Sequence, residues 1–309
     1  MGELFRRRPV LGLVTCALAA AVTIGCESSG GGSPTPSPPI SPTPPPITPA
    51  TETLVGAGDI AMCNEPGAAQ TARLLDAISG TVFAAGDLAY MKGSEQNFRE
   101  CYAPTWGRHR DRTYPVPGNH EYETPGAAAY FAYFGARAGM PGRGYYSYRL
   151  GGWLVLALDS NVAVGAGSAQ YEWLRSELQA SSTPCALAYA HHPLFSSGPN
   201  GGSGRMRAVW DLLYQHGVEI YLAGDDHLYE RQAPQDPSGR ADPARGIREF
   251  VVGTGGATLY QVVRPAANSE VRHSGWGVLK LTLAETSYSW EFVPVEGASF
   301  RDSGTGTCH

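Results

Sequence analysis

The chain has 309 residues and a formal charge of −5, from 23 basic and 28 acidic side chains. Beyond Arg6-Arg7-Arg8 its basic residues form no run that could track a phosphate backbone, so no nucleic-acid polymer is expected as a partner. The length supports one large core, and the mild acidity is otherwise a matter of solubility.

Arg6, Arg7 and Arg8 precede an apolar stretch over 10–25. A positive segment followed by a short apolar one reads as an export signal. It is too short to favour a stable span of about 20 residues. The stretch closes on Thr23-Ile24-Gly25-Cys26, which resembles a bacterial lipoprotein processing site with Cys26 as the lipidated residue. Thr23 stands where leucine is usual in such sites, so ordinary secretion with an incidental Cys26 is the other reading. Residues 27–52 are rich in Ser, Gly, Pro and Thr and bury too little apolar area to repay ordering, which makes them a disordered tether. The expected organisation is a signal over 1–26, a tether over 27–52 and one folded domain over 53–309. The expected location is outside the cytoplasm, on a membrane through a lipid anchor or secreted. Removing residues 1–26, with three arginines and one glutamate, leaves a formal charge of −7.

Four cysteines remain in the domain: Cys63, Cys101, Cys185 and Cys308. An even number in an exported chain favours two disulfides. Three pairings are open. Cys63–Cys101 is favoured because both lie in loops after early strands, and Cys185–Cys308 then pins the C-terminus.

In chain order, residues 54–59 read as a strand ending in Asp59, and 68–78 as a helix through Ala72, Leu75 and Ile78. The apolar run 81–85 is a buried strand followed by Gly86-Asp87-Leu88-Ala89-Tyr90. A short helix with Phe98, Cys101, Tyr102 and Trp106 comes next. Residues 113–118 contain two prolines and read as a brief or edge strand leading to Asn119-His120-Glu121. Residues 127–134 form a helix with an aromatic face, 145–150 alternate as a strand, and 153–158 are a strand ending in Asp159. An amphipathic helix over 169–180 turns Trp173, Leu174 and Leu178 inward. The strand 186–190 ends in His191-His192, and the helix 206–215 packs through Val209, Trp210 and Leu213, with Gly217 as its left-handed stop. The strand 218–223 ends in Gly224-Asp225-Asp226-His227. Then the pattern changes: a polar loop over 234–246, a strand over 248–252, a glycine turn at 253–256, and a hairpin of 276–283 with 287–295. These later strands are expected to form a second sheet on the first. His216 and His273 read as structural.

Open α/β sheets bind ligands at the carboxyl ends of their strands. Asp59, Asp87, Asn119, His120, His191, Asp225 and His227 all lie at such ends. Mixed carboxylate, amide and imidazole donors suit a pair of hard metal ions, and two close ions can orient a phosphate and activate water. No Gly-x-Ser-x-Gly elbow or cysteine nucleophile competes with that reading.

The ordered series resembles the metallophosphoesterase (calcineurin-like) superfamily over about residues 55–283, specifically its purple acid phosphatase-like branch. The branch is marked by Tyr90 and by Ala61, which stands where many members of the superfamily have histidine. The resemblance implies a four-layer α/β/β/α sandwich with two mixed β-sheets and outer helices. It implies two metal ions. Asp59, Asp87, Tyr90 and His227 hold the first, ferric iron by virtue of the tyrosinate. Asp87, Asn119 and His191 hold the second, which is Fe, Mn, Zn or Mg. His120 contacts phosphate and protonates the leaving group. The implied reaction is hydrolysis of a small phosphate ester by in-line attack of a metal-bound hydroxide, without a phospho-enzyme. His192, Asp159 and Asn161 are candidates for hydrogen bonds to substrate or to the ligands from behind.

Asp225 departs from the pattern, because the family has Gly-His-x-His where this chain has Gly224-Asp225-Asp226-His227. As an oxygen ligand Asp225 favours a harder ion. Two alternatives follow: a phosphodiesterase or nucleotidase, and a non-catalytic metal-bearing surface module. No protein partner is expected.

Overall fold

The computed structural model describes residues 51–309. The signal, Cys26 and nearly all of the tether lie outside the described residues. The first strand, β1 (Glu52–Ala57), begins at the last residue assigned to the tether, with Glu52 already paired to Leu283.

The other strands are β2 (Thr81–Ala85), β3 (Thr113–Val116), β4 (Tyr146–Leu150), β5 (Trp153–Ala157), β6 (Cys185–Tyr189), β7 (Ile220–Ala223), β8 (Tyr229–Gln232), β9 (Arg248–Val252), β10 (Ser269–His273), β11 (Gly277–Leu283), β12 (Ser287–Pro294) and β13 (Asp302–Thr307). They form a six-stranded sheet in the order β13-β12-β11-β1-β2-β3 and a seven-stranded sheet in the order β10-β8-β9-β7-β6-β5-β4. Both are mixed. β1, β2 and β3 run parallel, as do β5, β6, β7 and β9, and antiparallel strands flank each group. With helices packed against them, the two sheets make the α/β/β/α sandwich.

The central strands of the second sheet are buried on both faces, and the period-2 alternation of a strand divides their side chains between two cores. Trp153, Val155, Ala157, Leu187, Tyr189, Ile220 and Leu222 enter the larger core. Leu154, Leu156, Ala188, Tyr221 and Ala223 enter the other. There they meet Leu174 and Leu178 of helix Ala169–Ala180 and Val209, Trp210 and Leu213 of helix Arg207–Gln215. Each fully buried large side chain of this kind contributes roughly 1.5–3 kcal/mol. Ser168 caps the first helix through Tyr171 N. Gly217, at φ +65°, ends the second as its sequence suggests. Helix Gly67–Ala77 packs on the six-stranded sheet through Ala68, Ala72 and Leu75. β3, with Pro115, is an edge strand, where a missing donor costs least.

The sheets are shared out differently from the expectation. The C-terminal hairpin β11–β12 does not build a second sheet. β11 pairs antiparallel with β1 in register Leu54↔Leu281, and β13 adds to β12, so the chain's last strands complete its first sheet. The second sheet is the middle of the chain, β4 to β10. Both expected disulfides form, Cys63–Cys101 and Cys185–Cys308, with Cα atoms 4.8 and 5.5 Å apart. Two disulfides fit an oxidising compartment. None of the described helices is long and apolar enough to cross a membrane.

Candidate metal centre

The parallel strands of the two sheets deliver their C-terminal loops to one place. Asp59 follows β1, Asp87 and Tyr90 follow β2, and Asn119 and His120 follow β3. His191 follows β6, and Asp225 and His227 follow β7. Asp59, Asp87 and Asp225 turn at once, with φ of +58°, +52° and +69°. Aspartate is among the few non-glycine residues that accept this region. Gly86, at φ +81°, has no alternative, since a Cβ there would lie 2.6 Å from the His191 ring. The loops are tied by backbone bonds: Asp59 N donates to Gly86 O, and Tyr90 N donates to Ala61 O.

Asp59, Asp87 and His191 are buried and offer ligand atoms within 4.8 Å of one another, a seat for one ion. Around it the side chains fall into two groups. In one, the Tyr90 hydroxyl lies 2.9 Å from Asp59 Oδ1, 3.1 Å from Asp87 Oδ2 and 3.0 Å from His227 Nε2. In the other, His191 Nε2 lies 3.0 Å from Asn119 Oδ1, 3.3 Å from Asp87 Oδ2 and 3.7 Å from Asp225 Oδ1. Asp87 belongs to both. The second ring nitrogen of each histidine faces a carbonyl, His191 Nδ1 that of Ala85 at 3.0 Å and His227 Nδ1 that of Thr258 at 2.6 Å. Those bonds place the proton on Nδ1 and leave Nε2 free to ligate.

Among the described residues, Asp59, Asp87 and Asp225 form ion pairs with histidines and with no Lys or Arg. Burial alone would lower the His191 and His227 imidazoles, but Asp87 and Asp59 overcome it and raise both. Burial likewise opposes ionisation of Asp87, yet His191 and His120 bring it down to about 2. Asp225 goes the other way, pushed up to about 6 by burial despite His191. Burial, Asp59 and Asp87 hold the Tyr90 phenol well above its usual range. A metal cation would compete with the protons on these groups. The donors present therefore fit a metal.

His120 lies at the rim. Its backbone N–H donates to Asp87 Oδ1 at 2.9 Å, its Nδ1 meets Met91 O at 2.5 Å, and its Nε2 faces Asp87 Oδ2 at 3.7 Å. The side chains of His192, Asp159 and Asn161 bond to other partners and to none of the candidate ligands among the described residues. Ser160 Oγ lies 2.7 Å from His192 Nδ1, and burial with His191 and Arg205 lowers that imidazole to about 3, so it is neutral. Asp159 accepts from Tyr122 Oη at 2.6 Å and Asn161 N at 2.9 Å, and Asn161 Nδ2 donates to Pro117 O at 3.0 Å. Through Pro117 O the network touches the loop that carries Asn119.

Sequence reasoning missed Glu121, Tyr260, Asn200 and Asp226. Glu121 is buried and accepts from Leu88 N at 2.9 Å, Ala89 N at 3.2 Å and Gly118 N at 2.8 Å. It joins the loop of Asp87 to the loop of Asn119. Tyr260 stacks on His227 at 4.0 Å. Asp226 faces away from the centre and receives Asn200 N and Gly201 N at 2.9 and 3.0 Å. Glu121 follows Asn119-His120 directly, a local signal. The others are paired by long-range contacts that no local pattern encodes.

A family model described as calcineurin-like phosphoesterase matches residues 53–229. Purple acid phosphatase 15 of Arabidopsis thaliana is 31% identical over 159 residues, covering 44% of this chain and 30% of that protein. Purple acid phosphatase 21 of the same plant is 29% identical over 207 residues, covering 60% and 47%. Among solved structures, the purple acid phosphatase PPD1 from yellow lupin (Lupinus luteus) seeds superposes with a TM-score of 0.69 at 18% identity, over 84% of this chain and 54% of that one. GAP50, the anchor in the inner membrane complex of Plasmodium, superposes with a TM-score of 0.64 at 13% identity, over 84% and 89%. These two structural matches speak for the fold. The chain spans less than half the length of either plant relative.

Proposed function

The chain belongs to the calcineurin-like phosphoesterase family, and from that premise we propose that it hydrolyses small phosphate esters with two metal ions. Asp59, Asp87, Tyr90 and His227 would hold the first ion, and Asp87, Asn119 and His191 the second. The observation that carries the reading is Asp87, whose Oδ2 lies 3.1 Å from the Tyr90 hydroxyl and 3.3 Å from His191 Nε2. One carboxylate thus serves both donor groups. The pair of ions, when bound, supplies Lewis acidity and an activated water.

The protein's own residues do the rest. The carbonyls of Ala85 and Thr258 keep two imidazoles turned inward. Met91 O fixes Nδ1 of His120, so that ring exchanges a proton at Nε2, the atom facing the centre. That geometry suits protonation of the leaving oxygen. Export through the signal over 1–26, with a lipid on Cys26, is part of the same proposal, and the two disulfides support an oxidising destination for the domain.

Metal analysis paired with turnover of 4-nitrophenyl phosphate and bis(4-nitrophenyl) phosphate tests it. Faster cleavage of the diester identifies a phosphodiesterase. Asp225 supports one competing reading, a metal-bearing module without turnover. Two bound ions with no cleavage of either ester, whether Mn, Fe, Zn or Mg is supplied, would establish that reading and reject hydrolysis.

A further inference from the structure

This inference rests on the two-ion reading and concerns its second half. The carboxylate of Asp225 is only 15% exposed and has no Lys or Arg partner among the described residues. Its Oδ1 lies 3.7 Å from His191 Nε2, the same nitrogen that lies 3.0 Å from Asn119 Oδ1 and 3.3 Å from Asp87 Oδ2. Its backbone is fixed from two directions. Asp225 N donates to Asp59 Oδ2 at 3.0 Å, and Asn200 Nδ2 donates to Asp225 O at 2.7 Å while reaching Oδ1 at 3.4 Å. Asn200 is itself held, because its N–H and that of Gly201 end on the buried Asp226 carboxylate, which also takes Ser196 Oγ.

We propose that Asp225 is an oxygen ligand of the second ion, with Asn200 as its positioning residue. Asp87, Asn119, His191 and Asp225 then offer three oxygens and one nitrogen. Oxygen donors suit hard cations, and an imidazole in the same place shifts a site toward zinc. The second half is thus set for a hard divalent cation, Mn²⁺ or Mg²⁺. Absolute affinities still follow the usual order among metals, so the claim concerns the ratio of Mn²⁺ to Zn²⁺ affinity. Asn200 acts through backbone and carboxylate together and touches no ion.

The test uses the full chain stripped of metal with a chelator and titrated separately with Mn²⁺ and Zn²⁺, read by calorimetry and by Mn²⁺ paramagnetic resonance. Asp225→His is expected to lower the Mn²⁺:Zn²⁺ affinity ratio of the second equivalent by about tenfold or more. Histidine is enriched, like aspartate, at positive φ, so the backbone tolerates the change. Asp225→Asn, which keeps the shape and removes the charge, gives an independent reading as a loss of Mn²⁺ affinity. Asn200→Ala is expected to weaken the second Mn²⁺ by about tenfold and to leave the absorbance of a ferric ion on Tyr90 unchanged. Two equivalents bound with an unaltered ratio in Asp225→His overturn the inference and leave the two-ion reading standing. Failure of any second equivalent to bind overturns both.

Discussion

Tyr90 returns its hydroxyl to within 3.1 Å of Asp87, three residues earlier on the same loop. The same oxygen lies 2.9 Å from Asp59, on the neighbouring loop. The phenol therefore closes one half of the centre and does not merely line it. Loading the protein with ferric iron is expected to give a visible absorption band. Tyr90→Phe should abolish that band while leaving the far-ultraviolet circular dichroism unchanged, since only one oxygen is removed. A band that survives the substitution removes Tyr90 from the ligands.

Glu121 makes a sharper prediction about the scaffold. Three backbone donors from two loops end on its buried carboxylate. Each buried donor left unpaired costs about 1–3 kcal/mol. Glu121→Ala should therefore lose roughly 3–5 kcal/mol of stability in denaturant unfolding. A loss under 1 kcal/mol would show that water replaces the carboxylate easily.

Much of this centre could be read from residue types, because metal-capable side chains at the ends of apolar runs are a local signal. Asp59, Asp87 and His191 form a metal-capable cluster, with Asn119 beside His191 and His227 beside Tyr90. The role of Glu121 was legible only in part: its place after Asn119-His120 is local, but the Leu88 and Ala89 N–H groups that end on it are distant in sequence. The fold divides in the same way. β5, β6 and β7 are short apolar runs and match their predicted spans closely. β8, β10 and β13 were not anticipated. Tyr229-Glu230-Arg231-Gln232 is charged yet buried, because Glu230 accepts from Ser197 N and Arg231 pairs with Asp302. β13 is Gly- and Thr-rich and stands at an edge. Its partner had to be known before it could be called a strand.

Glu249 tests pH dependence away from the centre. It is fully buried and accepts from Leu194 N and Phe195 N. Burial raises its carboxyl well above the ordinary 4.5. A raised folded value means that its stabilising contribution is whole below 4.5 and is lost as pH climbs through the folded value. Glu249→Gln gives up one acceptor and should start about 1 kcal/mol less stable near pH 5. The deficit should narrow or reverse in melting curves as pH rises through the folded value. A gap that widens with pH contradicts the sign.

The two disulfides should not be equal. Cys185–Cys308 closes a separation of 123 residues and Cys63–Cys101 one of 38. By chain entropy, losing the longer closure should cost about 1 kcal/mol more than losing the shorter, within a usual range of about 2–5 kcal/mol. Unfolding of Cys185→Ser/Cys308→Ser beside Cys63→Ser/Cys101→Ser measures the difference. Equal losses would place the effect in native packing.

β1 lies between β2 and β11. Its partner across the sheet, from Gly56↔Leu279 to Glu52↔Leu283, is made more than two hundred residues later. The strand that aims Asp59 therefore stays half-paired until residues 277–283 are available. Non-local pairings of this kind slow folding. Asp59 is thus expected to reach its final position only once residues 277–283 pair with β1. Metal loading is therefore expected to follow folding, in whatever compartment the chain reaches.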